Sequence, residues 1–279
     1  MKKFLSLLLL LFAGYFVSAQ TSREEIDANP QVVIPTMTVY NGDLYPNVAP
    51  AAPKGFKPMF MIGYFRHGSR YEASKSYPVE TYEYFLKADK AGILTPVGKE
   101  VLNYMKWNYE VHQDRTGDLT DVGFAQHKQL GKRYSKNFPT LFKDDAKVAS
   151  VGSTSLRATL SMVAFNEGMK EYNPRLNNHI EASEVVTAMI RPQKPEHNKL
   201  YSRAEEKEYK AFLEREVYSK LMDWGWKQDF SHCKKVLFTD SDKFFAMIDE
   251  HPFKILSNIY KRMAFAQNLG INDLDLLKE

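Results

Sequence analysis

Between Met59 and Phe65 the chain runs through seven residues without a charge, Met-Phe-Met-Ile-Gly-Tyr-Phe, and passes at once into Arg66-His67-Gly68-Ser69-Arg70. An uncharged run of this kind suits a strand buried on both faces of a sheet. A polar burst directly after such a strand falls where open α/β sheets place their sites, outside the carboxyl ends of the strands. Together the two segments predict an α/β fold with a site at the end of a buried strand.

The neighbouring segments fit that plan. Thr95-Pro96 offers a helix start, with Thr as cap and Pro at the first helical position, and Val97, Val101, Leu102 and Met105 then share one face. A second amphipathic helix is expected after Thr120, with Val122, Leu130 and Tyr134 inward. Leu94-Thr95-Pro96-Val97-Gly98 and Leu119-Thr120-Asp121-Val122-Gly123 share a local form, which reads as two similar helix starts rather than a duplication. Lys147 to Val151 is a short strand candidate. A helix should open near Gly152-Ser153-Thr154 with Leu156, Leu160, Val163 and Met169 on its buried side and Arg157 in its first turn. Beyond Pro174 the pattern is almost wholly helical. Ser202-Arg203-Ala204-Glu205 forms a capping box, and Tyr209, Leu213, Val217 and Leu221 follow at intervals of four. Residues 20–171 are thus expected to form an α/β core and residues 172–279 a helical subdomain. The stretch 20–57, with Pro30, Pro35, Pro46, Pro50 and Pro53, reads as an arm with few regular elements.

The first residues carry an address. Lys2 and Lys3 precede an apolar run from Phe4 to Ala13, and Val17-Ser18-Ala19 suits signal peptidase, so residues 1–19 read as a secretory signal peptide. The mature chain is expected in the periplasm or the medium, with no membrane span after cleavage, because no later segment approaches the roughly 20 apolar residues a spanning helix needs. Cys233 stands alone and cannot form an intrachain disulfide; it reads as structural rather than reactive. The formal charge of +4 falls to +2 without Lys2 and Lys3, a balance that does not suggest nucleic-acid binding. With 44% hydrophobic residues, the mature chain can bury a full core.

Transfer of a phosphoryl group through a covalent intermediate needs a nucleophile that is neutral at working pH and cationic donors around the moving oxygens. Arg66-His67-Gly68-Ser69-Arg70 supplies both. Imidazole attacks phosphorus when its other nitrogen is fixed by a hydrogen bond, and guanidinium offers planar paired donors that stay charged. Gly68 lacks a Cβ and lets backbone approach a phosphate. Arg157, in a first helical turn, sits where free backbone N–H groups and the helix dipole already favour an anion. A lone histidine here would ordinarily be a polar core residue and the arginines surface ion-pair partners; four specified residues within one pentad argue otherwise. Lys75, Arg115, Arg191, Lys194 and Lys199 are candidates for peripheral phosphates, each ordinarily a solvated charge. His112, His127, His179, His197, His232 and His251 show no metal-ligand spacing, and neither metal nor cofactor is expected.

These residues resemble the histidine phosphatase superfamily, in its second branch of acid phosphatases and phytases, whose signature is Arg-His-Gly-x-Arg. The likeness is nearest to multiple inositol polyphosphate phosphatases. It rests on Arg66 to Tyr71, on Leu119-Thr120 through Gly131-Lys132-Arg133-Tyr134, and on Ser153-Thr154-Ser155-Leu156-Arg157 running into Leu160 to Met169. The resemblance implies a phosphoglycerate-mutase-like α/β sandwich core with a helical subdomain. It makes His67 the phosphohistidine and Arg66, Arg70 and Arg157 the phosphate ligands, with Ser69 beside them, and a small phosphomonoester such as phytate the substrate. The family's downstream His-Asp or His-Ala-Glu motif, whose carboxyl group protonates the leaving oxygen, does not occur here. The chain is therefore expected to be truncated before its sheet is completed. The alternatives that stay open are a noncatalytic phosphate-ester binder and an acid phosphatase for other monoesters, such as sugar phosphates.

Overall fold

A computed structural model of the chain describes residues 39–40, 52–191 and 203–271. The signal peptide, most of the arm, Ser202 of the capping box, Lys194, His197, Lys199 and the C-terminal Leu276–Glu279 lie outside the described residues.

The described chain is largely helical with a small parallel sheet, a mixed α/β composition. In order, the elements are α1 (Ser76–Lys90), α2 (Pro96–His112), α3 (Asp121–Asn137), β1 (Lys147–Gly152), α4 (Leu156–Tyr172), β2 (Asn177–Ala182) and α5 (Glu184–Ile190). They continue with α6 (Arg203–Leu213), a π-turn (Glu214–Tyr218), α7 (Ser219–Trp226), α8 (Ser231–Leu237), α9 (Ser241–Ile248) and α10 (Pro252–Phe265), closed by a 3-10 turn (Ala266–Leu269). β1 and β2 pair in parallel from Lys147 opposite Asn177 to Gly152 opposite Ala182, with α4 as the crossover. β1 ends one residue past the expected Val151. β2 interrupts a stretch expected to be helical: Asn177-Asn178-His179-Ile180-Glu181-Ala182 is too polar to announce a strand, and only the neighbouring β1 makes it one.

The two similar helix starts dock in the same way. Thr95 and Thr120 both hold extended backbone, and each hydroxyl accepts the N–H three residues on, Gly98 at 3.0 Å and Gly123 at 3.1 Å. Each threonine also donates its backbone N–H to a carbonyl of a remote segment: Thr95 to Leu237 at 3.2 Å, Thr120 to Ser69 at 3.0 Å. The glycines admit those same carbonyls. A Cβ on Gly98 would stand 2.2 Å from the Leu237 oxygen, and one on Gly123 would stand 2.1 Å from that of Ser69. The shared sequence form is thus a shared docking device.

Two cores follow. α1 and α2 pack with α8, α9 and α10 around Phe85, Met105, Phe238, Phe244, Ile255 and Met263, all buried, with the Phe238 and Phe244 rings stacked at 4.0 Å. Val101 and Met105 face this core as expected, with Val97 and Leu102 at its edge. α3 and α4 cross closely, because Gly131 and Gly168 each leave room for a backbone carbonyl, of Phe165 and Lys128 respectively. A smaller core of Phe142, Met169 and Leu176 lies beside them. The buried face of α3 is therefore Gly123, Gln126, His127, Gly131 and Ser135, not Val122, Leu130 and Tyr134, which are half-buried. On α4 the buried residues are Ser161, Ala164, Asn166, Gly168 and Met169, while Leu156 and Val163 are exposed. Close helix contact selects small residues, and an apolar stripe read for size misses them.

Residues 59–65 form no strand. Met59, Phe60, Ile62 and Tyr64 are more than three-quarters exposed. Met61 is half-buried on the Phe142 core, and Phe65, still 38% exposed, lays its ring against Tyr134 and Phe165 at separations of 5.4 and 5.0 Å. An uncharged run becomes a buried strand only if a neighbour pairs its backbone, and among the described residues β1 pairs with β2 alone. Tyr209, Val217 and Leu221, spaced at intervals of four, are about half exposed; α7 meets α10 and its cap where Gly225 faces the Phe253 ring and Trp226 lies 5.6 Å from the His251 ring. Cys233 is exposed, so it does not belong to the core. Among the described residues, no helix is long and apolar enough to cross a membrane.

Candidate functional site

The segment from Arg66 to Glu72 runs along the first two turns of α3 and α4, and nearly every peptide in it is tied down. The Arg66 carbonyl accepts from His127 Nε2 at 3.0 Å. The Gly68 N–H donates to Ser161 Oγ at 3.0 Å, and that hydroxyl donates in turn to the Arg157 carbonyl at 2.7 Å. The Ser69 N–H donates to Gln126 Oε1 at 2.9 Å, and its carbonyl accepts both the N–H and the hydroxyl of Thr120. Tyr71 donates its N–H to Asp118 at 2.8 Å, and the Glu72 carbonyl accepts the Gly117 N–H at 2.7 Å. Gly68 is needed for packing: a Cβ there would lie 2.3 Å from the Gly123 oxygen. This contact with α3 is a packing reason for the glycine that stands beside the expectation that Gly68 lets backbone approach a phosphate.

His67, half-buried, sits at the centre of the segment. Its Nδ1 lies 2.8 Å from the Gly68 carbonyl, which can only accept, so Nδ1 carries the hydrogen and Nε2 the lone pair. Burial is the main cause that lowers its pKa below the usual 6.5; the bond to Gly68 opposes this, and the charges of Arg157, Arg66 and Arg70 add to the lowering. The ring is therefore neutral near pH 7 while standing in the field of three guanidinium groups. Arg66 is exposed. Arg70 is half-buried and donates from Nη1 to the Tyr71 carbonyl at 2.8 Å. Arg157, in the first turn of α4, donates from Nη1 to the Gly117 carbonyl at 3.5 Å, and its Nε is buried without a hydrogen-bond partner. Burial and the neighbouring Arg157 both lower the pKa of Arg70, and Glu72 opposes them.

No family model and no curated protein matches this chain.

The fold thus brings together His67, Arg66, Arg70 and Arg157, with Ser69 contributing backbone groups to the scaffold. Three cations around one neutral imidazole can hold an oxyanion and offer it a nitrogen lone pair. Of the peripheral candidates, Lys75 pairs with Asp114 at 3.3 Å, and Arg115 pairs with Asp118 at 3.2 Å while lying 4.3 Å from the Tyr71 ring centroid. Among the described residues, no group of three or more His, Cys, Asp or Glu side chains is placed to hold a metal. Reading the sequence by motif misses the supporting residues: Ser161, Gln126, His127, Gly117 and Glu72. Ser161 has a faint signal, one helical turn after Arg157 on the same face. Gln126 and His127 fall within the resembling stretch from Leu119 to Tyr134 without a role assigned to them, and Gly117 and Glu72 carry no signal, because their partners are remote in the chain.

Proposed function

We propose that this protein hydrolyses phosphomonoesters through a phosphohistidine formed on His67, with inositol polyphosphates such as phytate as substrates. The observation that carries the reading is the Nδ1 bond of His67 to the Gly68 carbonyl, which leaves Nε2 unprotonated within a cluster of three arginines. The likeness to histidine acid phosphatases, carried by Arg66 to Arg70 and by Ser153 to Met169, supplies the substrate class. It also suggests that the β1-α4-β2 unit belongs to a phosphoglycerate-mutase-like sandwich.

In the first step Nε2 forms a bond to phosphorus while the bond from phosphorus to the ester oxygen breaks, and the alcohol oxygen leaves with the electron pair and takes up a proton from solvent water. Water then attacks the phosphohistidine, loses a proton and releases inorganic phosphate with the imidazole restored. Arg66, Arg70 and Arg157 hold the nonbridging oxygens throughout, where charge spreads in the transition state. An inositol alkoxide needs a positioned acid, a contribution of about a hundred- to ten-thousandfold, whereas an aryl phosphate leaves with little help. On this reading the protein is exported and works without a metal.

The test is phosphate release from inositol hexakisphosphate and from an aryl phosphate, by the parent and by His67→Ala. Turnover of the aryl ester by the parent and its loss in a folded His67→Ala variant is the expected result. A variant within about tenfold of the parent removes the nucleophile assignment. Tungstate binding with no turnover of any monoester by the parent replaces the enzyme with a noncatalytic phosphate-ester binder, and turnover of sugar monophosphates alone replaces the substrate class.

A further inference from the structure

One buried ionic group is not used by the chemistry above. Glu72 and Arg262 are each only 5% exposed, and Arg262 Nη1 lies 2.7 Å from Glu72 Oε1, a close contact of opposite charges whose angles do not make it a directed hydrogen bond. Arg262 comes from α10, far downstream, and its guanidinium stands 5.2 Å from the Tyr77 ring centroid while Tyr104 donates to its carbonyl at 3.3 Å. The Glu72 N–H donates to His112 Nδ1 at 3.3 Å, and the His112 ring is wedged edge-on between Tyr71 and Phe265.

A buried pair of this kind is a weak source of stability, since desolvation offsets most of the attraction and apolar replacements are often neutral or better. Its position gives it another role. Arg70 is anchored on the Tyr71 carbonyl, and Arg157 on the carbonyl of Gly117. The residues that carry these two carbonyls lie in segments held side by side by the flanking bonds, from the Gly117 N–H to the Glu72 carbonyl and from the Tyr71 N–H to the Asp118 carbonyl. Both clamp arginines therefore rest on the junction that the Glu72 side chain ties to α10.

We propose that the Glu72–Arg262 pair is a strut from α10 that sets the positions of Arg70 and Arg157, making both of its members positioning residues for oxyanion binding. The proposal rests on the reading of Arg70 and Arg157 as an oxyanion clamp. Burial raises the pKa of Glu72 while Arg262 and Arg70 lower it, and in its ionised form the carboxylate raises the pKa of Arg70 against the influence of Arg157.

The experiment measures binding of inorganic phosphate and tungstate by calorimetry, beside thermal unfolding, for the parent, Glu72→Gln/Arg262→Met and Arg262→Lys. The double variant buries no unpaired charge and should unfold cooperatively near the parent's temperature. Its phosphate affinity should nonetheless fall at least about tenfold, because the anchors of both arginines are loosened. Arg262→Lys keeps the charge but moves it, and should bind phosphate about threefold or more weakly. Phosphate binding by the folded double variant within about twofold of the parent overturns the strut. If the double variant does not fold, undiminished binding by Arg262→Lys overturns it. A parent that binds neither anion fails differently: that outcome removes the clamp reading, and the strut with it.

Discussion

Replacing Gly68 by alanine puts the site and its scaffold to one test. The new Cβ would stand 2.3 Å from the Gly123 oxygen, 2.7 Å from its Cα and 2.8 Å from its carbonyl carbon, against an ordinary contact of 3.4 Å or more. The obstructing atoms are backbone in the first turn of α3, held by the Thr120 cap, so they cannot swing aside as a side chain would. The His67 segment must retreat from α3 by about 1 Å, and overpacking of this kind costs about 1–3 kcal/mol. In a chain of this size that lowers the unfolding temperature by about 2–12 °C. The larger effect is on chemistry. If His67 is the nucleophile proposed above, a displacement of about 1 Å at that group costs about a hundredfold in rate. Gly152→Ala is the control, because its Cβ would meet the flexible Met162 side chain at 3.3 Å and backbone only at an ordinary 4.0 Å, the Ala158 oxygen, and both stability and turnover should stay close to the parent. Aryl phosphate turnover and thermal unfolding are measured for all three proteins. Turnover by Gly68→Ala within about threefold of the parent refutes the claim that close packing on α3 places His67.

Two further outcomes follow from the same geometry. Burial and the charge of Arg262 lower the pKa of His112 from 6.5 to about 4, so the folded ring stays neutral while the unfolded one takes up a proton; this contribution is present above pH 6.5 and is lost as pH falls towards 4. It amounts to up to about 3 kcal/mol, and denaturant unfolding at pH 7 and pH 4.5 should show a smaller acid loss in His112→Gln than in the parent; equal losses would contradict it. Arg157→Lys keeps a charge near His67 but loses the guanidinium fork, so inhibition by phosphate and tungstate should weaken about tenfold while the acidic limb of kcat/KM against pH stays in place. Arg157→Met should in addition move that limb upward, because removing the cation raises the pKa of His67; unchanged inhibition in both variants would place Arg157 outside the site.

The parts of this protein legible in its sequence are those decided within a few residues. Thr95 and Thr120 cap their helices through bonds that span three positions, β1 is announced by its own residues, and Arg66 to Arg70 with Arg157 mark the candidate site by residue type and by their places beside helix starts. The tertiary structure decided whatever depends on a remote partner. Met59 to Phe65 had the composition of a buried strand and has no neighbour to pair with among the described residues, whereas the polar Asn177 to Ala182 has β1 and becomes a strand. The inward faces of α3 and α4 are set by the closeness of their crossing, which favours Gly131 and Gly168 over the larger apolar residues beside them. Glu72 gave no signal at all. A carboxylate declares itself buried and structural only when a cation from α10 is folded against it, and no local pattern encodes that meeting.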